Sequence, residues 1–296
     1  MAEQASELVF QTSGLEYAAL SWGEVGQPVI LALHGWLDNA LSFSRLGPLL
    51  EGYRVVAVDL SGHGHSAHRS LDSTYHIWDD LPQLVDIVNA LGGEQITLLG
   101  HSRGASVATL LAAALADRCN KLVLIDGFLP AFGDDKNGAH QLERFVNERR
   151  KYLSRSERIF KSIDEFSERR EQYGFSRDSA QQLAPRALEI VPEGFRLRSD
   201  PRLFATSAVY LNAVQRRQLY EQLTPSVLSI IAKDGLLTQV ASAETLLEQM
   251  SEYLFDYQSI VIEGSHHLHM EEASVDGVAS AVLAFLTTHQ QRQDGR

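Results

Sequence analysis

The sequence predicts an α/β protein in which a mostly parallel sheet is covered by helices on both faces. Two observations predict this class. Apolar runs of strand length alternate with segments of helical spacing from residue 29 to residue 126, and the alternation returns after residue 224. Between these parts, residues 129–222 show helical spacing only. A chain of 296 residues is long enough to bury a large core without disulfides or metals.

The sheet is predicted to open with an antiparallel pair and to continue with parallel strands. Glu7–Thr12 and Leu15–Trp22 form the pair around Ser13-Gly14. The following strands are continuously apolar, which is typical of strands covered on both faces of a parallel sheet. They are Val29–Leu33, Val55–Leu60, Ile96–Leu99 and Leu122–Ile125, and the helical segments between them are Ala40–Leu50, Ile77–Leu91 and Ala105–Leu115.

Residues 129–223 are predicted to form a helical insertion, which we call the cap. No convincing strand occurs in it, and its helical segments are Gln141–Tyr152, Ser156–Tyr173, Ser179–Val191 and Arg202–Leu223. Charges crowd this region, as in Glu168-Arg169-Arg170-Glu171, and solvated helix faces explain them better than a binding patch. Insertions of this length are usually functional lids.

The alternation resumes after the cap and completes a core that comprises residues 1–128 and 224–296. The remaining elements are the strand Val227–Ala232, a helix near Ala241–Met250, the strand Ser259–Ile262 and a helix from about Ser274 to His289.

Composition excludes several classes of protein. There are 26 Lys and Arg against 38 Asp and Glu, a net charge of −12, so nucleic acids and anionic membranes are not expected partners. Cys119 is the single cysteine, so no internal disulfide can form. The N-terminal residues lack the features of a signal peptide, and no apolar run is long enough to span a bilayer. We therefore expect a cytoplasmic protein.

The strongest functional motif is a serine between two glycines, Gly100-His101-Ser102-Arg103-Gly104. It follows a predicted strand and precedes a helix rich in small residues. This is the context of a nucleophile elbow, a sharp turn that holds a serine in a strained conformation. The sequence therefore predicts Ser102 as a nucleophile.

A serine nucleophile needs a base, and three histidines follow the last predicted strand. His266 is the closest to the strand end and is the predicted base. His267 and His269 are expected to pack or to form hydrogen bonds in the loop. A metal site is the competing interpretation, but no further ligand pair with zinc-like spacing occurs in the sequence, so no metal is expected.

The negative charge that develops during attack on a carbonyl requires two hydrogen-bond donors. The backbone N–H of Arg103, directly after the nucleophile, is one candidate. The second is the N–H of Trp36 in Leu33-His34-Gly35-Trp36, where Gly35 allows the turn. The Trp36 indole either lines the pocket or packs in the core, and His34 is expected to form internal hydrogen bonds.

These motifs resemble the α/β-hydrolase superfamily. The resemblance includes His34-Gly35-Trp36, Asp59-Leu60-Ser61-Gly62-His63-Gly64-His65-Ser66, the Ser102 motif and the final His266. The stretch Leu33-His34-Gly35-Trp36-Leu37-Asp38-Asn39-Ala40 resembles the serine hydrolase-like branch. The resemblance implies an eight-stranded, mostly parallel sheet with a helical cap after the sixth strand, and an enzyme without cofactors. Dehalogenases and epoxide hydrolases of this fold use an aspartate nucleophile, so Ser102 favours acyl transfer instead.

The acid that orients the base departs from the family pattern. Many members carry it after the seventh strand in a Gly-x-x-Asp arrangement, whereas this chain has Ala232-Lys233-Asp234-Gly235 there. The aspartate is one residue early. The alternative is Asp126, at the end of the sixth strand, where some relatives such as certain haloalkane dehalogenases place the acid. Both choices keep the chain order serine, acid, histidine. We favour Asp126 over Asp234.

The sequence thus predicts a hydrolase that cleaves a carboxylic ester or related small acyl substrate. A thioesterase, lyase or perhydrolase with the same residues, or a non-catalytic member that binds a small ligand, is the alternative. Trp36, His101 and Phe128 are the predicted substrate contacts. Phe132, Phe145 and Phe160 supply either pocket walls or the core of the cap. The Arg103 side chain meets either a substrate carboxylate or a cap acid, and the His63, His65 and His68 loop is expected to be a solvated turn. The sequence does not indicate an oligomeric state.

Overall fold

A computed structural model describes residues 5–129, 137–156, 158–239 and 243–287 of the chain. The strands are β1 (Ser6–Gln11), β2 (Glu16–Trp22), β3 (Val29–Leu33), β4 (Arg54–Val58), β5 (Ile96–His101), β6 (Cys119–Ile125), β7 (Ile159–Phe160), β8 (Leu188–Val191), β9 (Gly194–Leu197), β10 (Ser226–Asp234) and β11 (Tyr257–Ser265). The α-helices are α1 (Leu81–Leu91), α2 (Arg103–Leu115), α3 (Gly138–Leu153), α4 (Ile163–Glu171), α5 (Arg177–Ala187), α6 (Ala213–Glu221), α7 (Leu236–Gln239), α8 (Ala243–Tyr253) and α9 (Val275–Thr287).

The central sheet has eight strands in the order β1-β2-β4-β3-β5-β6-β10-β11. Strand β2 runs antiparallel to β1 and β4, and the other neighbours pair in parallel. This confirms the predicted eight-stranded, mostly parallel sheet. The carboxyl ends of the parallel strands lie at the same edge of the sheet. The residues that follow β5, β6 and β11 are therefore close together.

Helices cover both faces of the sheet, which explains the continuously apolar strands. Leu98 and Leu99 are consecutive in β5 and fully buried, yet they belong to cores on opposite faces. The core on the first face includes α1 and α2. On the second face the core includes α9 and the 3₁₀ turn Ala40–Phe43. Among the described residues, no helix is both long and apolar enough to cross a membrane.

The segment Ala40–Leu50, predicted as a helix, forms two short 3₁₀ turns instead, Ala40–Phe43 and Gly47–Leu49. Gly47 and Pro48 interrupt the helical pattern because glycine favours a flexible backbone and proline cannot donate a hydrogen bond. A Cβ on Gly47 would lie 2.6 Å from the Trp22 ring. The prediction of a continuous helix here was therefore wrong.

The cap contains strands, which corrects the prediction that it has none. Strands β7, β9 and β8 form a three-stranded antiparallel sheet, and the hairpin between β8 and β9 turns at Pro192 and Glu193, just before Gly194, whose φ is 139°. The β-branched residues Ile190 and Val191 favour a strand, so the predicted helix Ser179–Val191 ends early at Ala187. The predicted helix Arg202–Leu223 likewise divides into the 3₁₀ turn Pro201–Phe204 and α6, which a capping box at Asn212 begins.

Three predicted positions fall outside the described residues: Phe132, the start of a helix at Ala241 and the end of the last helix at His289.

Buried arginines of the cap reach across to the core. Arg170, predicted to lie on a solvated helix face, is buried, and its Nη2 donates to Asp38 Oδ1 at 2.6 Å. Burial alone would raise the pKa of Asp38, but His101 and Arg170 hold that pKa well below its usual range. Arg186 and Asp59 form a similar buried ion pair, in which Arg186 Nε lies 2.6 Å from Asp59 Oδ2. These ion pairs fasten the cap to the loops that follow β3 and β4.

We expect Arg170→Met to destabilise the fold strongly. Removal of one partner of a buried ion pair costs about 3–5 kcal/mol because the other charge is left uncompensated. The melting temperature should fall by roughly 5–15 °C for a chain of this size. Arg177→Met is the matched control, since the Arg177 side chain is 45% exposed and contacts exposed acids. Its melting temperature should stay near that of the wild type, and equal melting of the two variants would refute the role of Arg170.

Candidate active site

Ser102 occupies the turn between β5 and α2. Its φ is 51°, a left-handed conformation that a non-glycine residue rarely adopts, and its N–H donates to Ile125 O at 3.0 Å. The two glycines of the motif allow the close approach that this turn requires. A Cβ on Gly100 would lie 2.6 Å from Ala105 Cα, and a Cβ on Gly104 would lie 2.6 Å from His34 O. The strained turn therefore holds Ser102 at the carboxyl edge of the sheet.

His266 lies directly after β11 and faces Ser102. Its Nε2 is 2.9 Å from Ser102 Oγ, and its Nδ1 is 2.6 Å from Asp126 Oδ2. The Asp126 carboxylate also accepts hydrogen bonds from the N–H groups of Ala232 and Leu236, at 3.1 and 3.0 Å. Because a carboxylate only accepts, the proton of neutral His266 is assigned to Nδ1, and Nε2 accepts from the Ser102 hydroxyl.

The structure brings Asp126, and not Asp234, against His266. Asp234 is exposed at the end of β10. The next residue, Gly235, supplies the space that Asp126 needs, because a Cβ on Gly235 would lie 2.6 Å from Asp126 Oδ1. The glycine that stands where the family pattern has its acid therefore leaves room for the Asp126 carboxylate beside His266.

Burial lowers the pKa of His266 below 6.5, although the hydrogen bond to Asp126 opposes this shift. The imidazole is therefore neutral near pH 7 and free to accept a proton from Ser102.

A cavity of about 510 Å³ opens beside Ser102 and His266. Trp36 and Phe128, the two predicted substrate contacts, line it, and so do Leu203, Leu211 and Leu237. The Trp36 indole also packs: its Nε1 donates to Leu203 O at 2.9 Å, and its ring contacts Phe204 edge to face. Of the other cap aromatics, Phe145 contacts the His76 ring and Phe160 belongs to the apolar core of the cap.

His101 does not line this cavity, which corrects its prediction as a substrate contact. Its side chain is fully buried, and its Nε2 lies 2.9 Å from the carbonyl oxygen of His266. Successive residues of a strand point to opposite faces, so the residue before Ser102 points away from the cavity. His101 therefore supports the loop that carries His266.

The two predicted oxyanion donors belong to residues that line the cavity with Ser102, Trp36 on the loop after β3 and Arg103 at the start of α2. Within the described residues, neither the Trp36 nor the Arg103 backbone N–H takes part in a turn or loop hydrogen bond. Arg103 is the first residue of α2, where backbone N–H groups have no partner inside the helix. His34 forms internal hydrogen bonds as expected, with the oxygen of Gly35 and the N–H of Leu60.

The histidines around the site are mostly structural. Ring nitrogens of His101, His266 and His267 lie within 4.8 Å of one another, a spacing that a metal ion could bridge. However, both His266 nitrogens are hydrogen-bonded, and His267 stacks on Phe175 with ring centroids 3.6 Å apart. His269 contacts Ser42 Oγ at 2.8 Å. The arrangement suits hydrogen bonding and packing better than metal ligation.

The loop of His63, His65 and His68 is only partly the solvated turn that was predicted. His63 is buried and accepts a hydrogen bond from the Leu37 N–H at 3.3 Å, whereas His68 is exposed. His65 and His68 line a second cavity of about 640 Å³ that also contains arginines of the cap. Ser102 and His266 do not line this larger cavity, so we place the candidate active site in the smaller one.

A doubly wound sheet that carries a serine on the turn after a central strand, faced by a histidine after the last strand, defines the α/β hydrolases. The family model for the alpha/beta hydrolase fold matches residues 28–273, and the chain belongs to this family.

Several known proteins are similar over almost their whole length. A serine hydrolase-like protein from Danio rerio is 29% identical over 97% of this chain and 90% of its own. The crystal structure of a hypothetical protein from Pseudomonas aeruginosa PAO1 has a TM-score of 0.88 and 35% identity, covering 95% of this chain and 99% of the other. A thioesterase domain from the curacin biosynthetic pathway has a TM-score of 0.81 and 25% identity, with 95% and 99% coverage. The predicted resemblance to the serine hydrolase-like branch is confirmed.

Proposed function

We propose that this protein is a serine hydrolase that cleaves a carboxylic ester or related acyl compound through an acyl-enzyme intermediate. The single observation that carries the proposal is the continuous chain of contacts from Ser102 Oγ through His266 to the Asp126 carboxylate, at 2.9 and 2.6 Å. A serine hydroxyl is a weak nucleophile at neutral pH, and an oriented neutral imidazole is what activates it.

In the proposed reaction, Ser102 Oγ attacks the carbonyl carbon while His266 Nε2 takes the hydroxyl proton. Asp126 holds the imidazole in the required tautomer and stabilises its protonated form. The backbone N–H groups of Trp36 and Arg103 bind the oxygen that becomes negative. The protonated His266 then gives its proton to the departing alcohol, which leaves an acyl group on Ser102.

Water completes the cycle. His266 removes a proton from a water molecule, the resulting hydroxide attacks the acyl carbon, and the carboxylic acid leaves as Ser102 regains its proton. These steps use side chains and backbone of this chain alone. A thioester would follow the same steps with a thiol as the leaving group, and the similarity to a thioesterase domain makes it the second candidate substrate.

Covalent labelling by a fluorophosphonate tests the proposal without a guess about the substrate. We expect rapid addition of one phosphonyl group, measured by intact mass, and peptide mapping should place it on Ser102. Ser106 and Tyr210 line the same cavity and serve as internal controls, because His266 activates neither of them. A folded protein that does not label, or that labels elsewhere, would overturn the proposed mechanism and favour a ligand-binding role.

The pH dependence of turnover follows from the lowered pKa of His266. The imidazole accepts a proton only when neutral, so activity falls as the pH falls through this pKa. We expect kcat/KM to show an acid limb with a midpoint below pH 6.5. Circular dichroism over the same pH range controls for unfolding. A midpoint above 6.5 would contradict the assignment of His266 as a desolvated base.

A further inference from the structure

Arg103 places a cation in the candidate active site without an acidic partner. Arg103 is one of the residues that line the cavity beside Ser102, and its Nη2 donates to the Tyr75 carbonyl oxygen at 2.8 Å. Its Nε is buried and has no hydrogen-bond partner. In the described part of the chain, the guanidinium forms no salt bridge, so the predicted alternative of a bond to a cap acid is not realised there.

Three other buried arginines of this protein contact a carboxylate, whereas Arg216, which is also buried, donates to Gln249 Oε1 at 2.6 Å. Arg170, Arg186 and Arg202 each lie 2.6 Å from a carboxylate, those of Asp38, Asp59 and Asp200. Among the described residues, Arg103 and Arg216 both donate to neutral groups, and of these two only Arg103 lines the cavity beside Ser102.

The acids nearest to Arg103 are committed to other donors. Asp79 and Asp80 act on it only through space. Asp80 Oδ1 accepts from Tyr17, Ser61 and Arg69, and Asp79 Oδ2 accepts from Thr74 and His76. Burial lowers the pKa of the Arg103 guanidinium, but a guanidinium stays charged at any physiological pH. A guanidinium without a direct carboxylate contact therefore belongs to a residue that lines the cavity, in a protein whose net charge is −12.

We propose that Arg103 binds a carboxylate of the substrate, so that the protein prefers esters that carry a negative charge near the scissile bond. This inference deepens the proposed serine hydrolase function and rests on it. A buried, unpaired cation is costly unless an anion compensates it, and a substrate that supplies the anion gains a charge-assisted hydrogen bond. The apolar walls from Trp36, Phe128 and Leu211 would contact the rest of such a substrate.

Two series of anionic esters test the inference. The first contains methyl monoesters of dicarboxylic acids of increasing length, with the carboxylate on the acyl side. The second contains acetate esters of hydroxy acids, with the carboxylate on the alcohol side. Each is compared with a neutral ester of the same length, and acid release is followed by pH-stat. We expect kcat/KM for the best anionic ester to exceed that of its neutral match by roughly tenfold or more.

Arg103→Met removes the charge and keeps much of the apolar volume, while the backbone N–H remains. The ratio of anionic to neutral kcat/KM should fall by ~10–100-fold, as expected for loss of a hydrogen bond to a charged group. The ratio is measured within one variant, so a general loss of activity cancels. Arg103→Lys, which keeps a cation, should retain part of the preference. Arg217→Met is the matched control, since Arg217 lies on the surface and contacts Glu221, and it should leave the ratio unchanged.

Binding separates failure of this inference from failure of the proposed function. Calorimetric titration of the Ser102→Ala variant measures binding without turnover. The ligands are the dicarboxylates of the first series and the hydroxy acids of the second. Each ligand is compared with an analogue of the same length that lacks the carboxylate proposed to bind Arg103. Hydrolysis of esters with no anionic preference, or a preference that survives Arg103→Met, would overturn the role of Arg103 and leave the hydrolase intact. Arg103-dependent binding without hydrolysis of any ester would support Arg103 and overturn the hydrolase. Neither binding nor preference in either series would overturn the inference.

Discussion

Replacement of Ser102 by alanine should lower kcat by ~10⁵–10⁶-fold, because the variant has no atom that can form the acyl-enzyme. The remaining activity would come from the oxyanion donors and from substrate binding alone. The measurement is kcat on any ester that the wild type hydrolyses, together with loss of fluorophosphonate labelling. Within the described parts of the chain, the Ser102 hydroxyl forms a hydrogen bond with His266 alone, so the variant should fold normally.

The control for this variant is Ser106→Ala. Ser106 lies one helical turn further along α2, lines the same cavity and donates to the Phe128 carbonyl oxygen at 2.8 Å, but it has no imidazole partner. Its turnover should remain far above that of Ser102→Ala. If both variants kept wild-type turnover, the hydrolysis would have to occur at another site.

Asp126→Asn should lower kcat by ~10⁴-fold, the loss that accompanies removal of the orienting carboxylate in Ser-His-Asp enzymes. The asparagine amide would present either a donor to the Nδ1–H of His266 or a weaker neutral acceptor. An amide donor facing Nδ1 would reverse the tautomer of His266. A neutral amide acceptor would keep the tautomer but would no longer stabilise the protonated imidazole. The measurement is kcat together with the rate constant of fluorophosphonate labelling.

Asp234→Asn is the matched control, because it makes the same chemical change at the position closest to the usual family pattern. Asp234 is exposed and does not contact His266. Its kcat should stay near that of the wild type. The opposite order, with Asp234→Asn the slower variant, would show that the acid acts from β10 after all.

The position of the acid shows where the sequence stops being sufficient. The sequence contains two aspartates in the correct chain order and a glycine where the family has its acid, and this pattern alone favours neither decisively. The structure shows that the two positions share one space: a side chain at residue 235 and the carboxylate of Asp126 would compete for it. Steric exclusion between two loops that are distant in sequence is visible only once both loops are placed.

Other differences between the predicted and the observed structure could have been predicted from local rules. The direction of His101 follows from strand alternation next to Ser102. The hairpin of β8 and β9 follows from Ile190-Val191, Pro192 and Gly194, since β-branched residues favour strands and proline and glycine favour turns. The predicted strands and the Ser102 turn were easier, because continuous apolar runs and the Gly-x-Ser-x-Gly spacing are strong local signals.

Local rules do not predict which of two neighbouring arginines is buried. Arg169 and Arg170 are adjacent in one charged stretch, yet Arg169 donates to the nearby Gln172 and Tyr173, while Arg170 is buried against Asp38. Which of the two points inward depends on how the cap packs on the core. Periodicity in a short charged helix does not determine that contact.

The buried arginines have a kinetic consequence. To lift the cap from the core would separate Arg170 from Asp38 and Arg186 from Asp59, two buried ion pairs with N–O distances of 2.6 Å. Arg202 adds hydrogen bonds from the cap to the carbonyl oxygens of Arg69 and Ser70. We therefore expect the cap to resist opening as a hinged lid. If the cap stays closed, the width of the cavity mouth limits which molecules reach Ser102, and the cap would select them by size and shape.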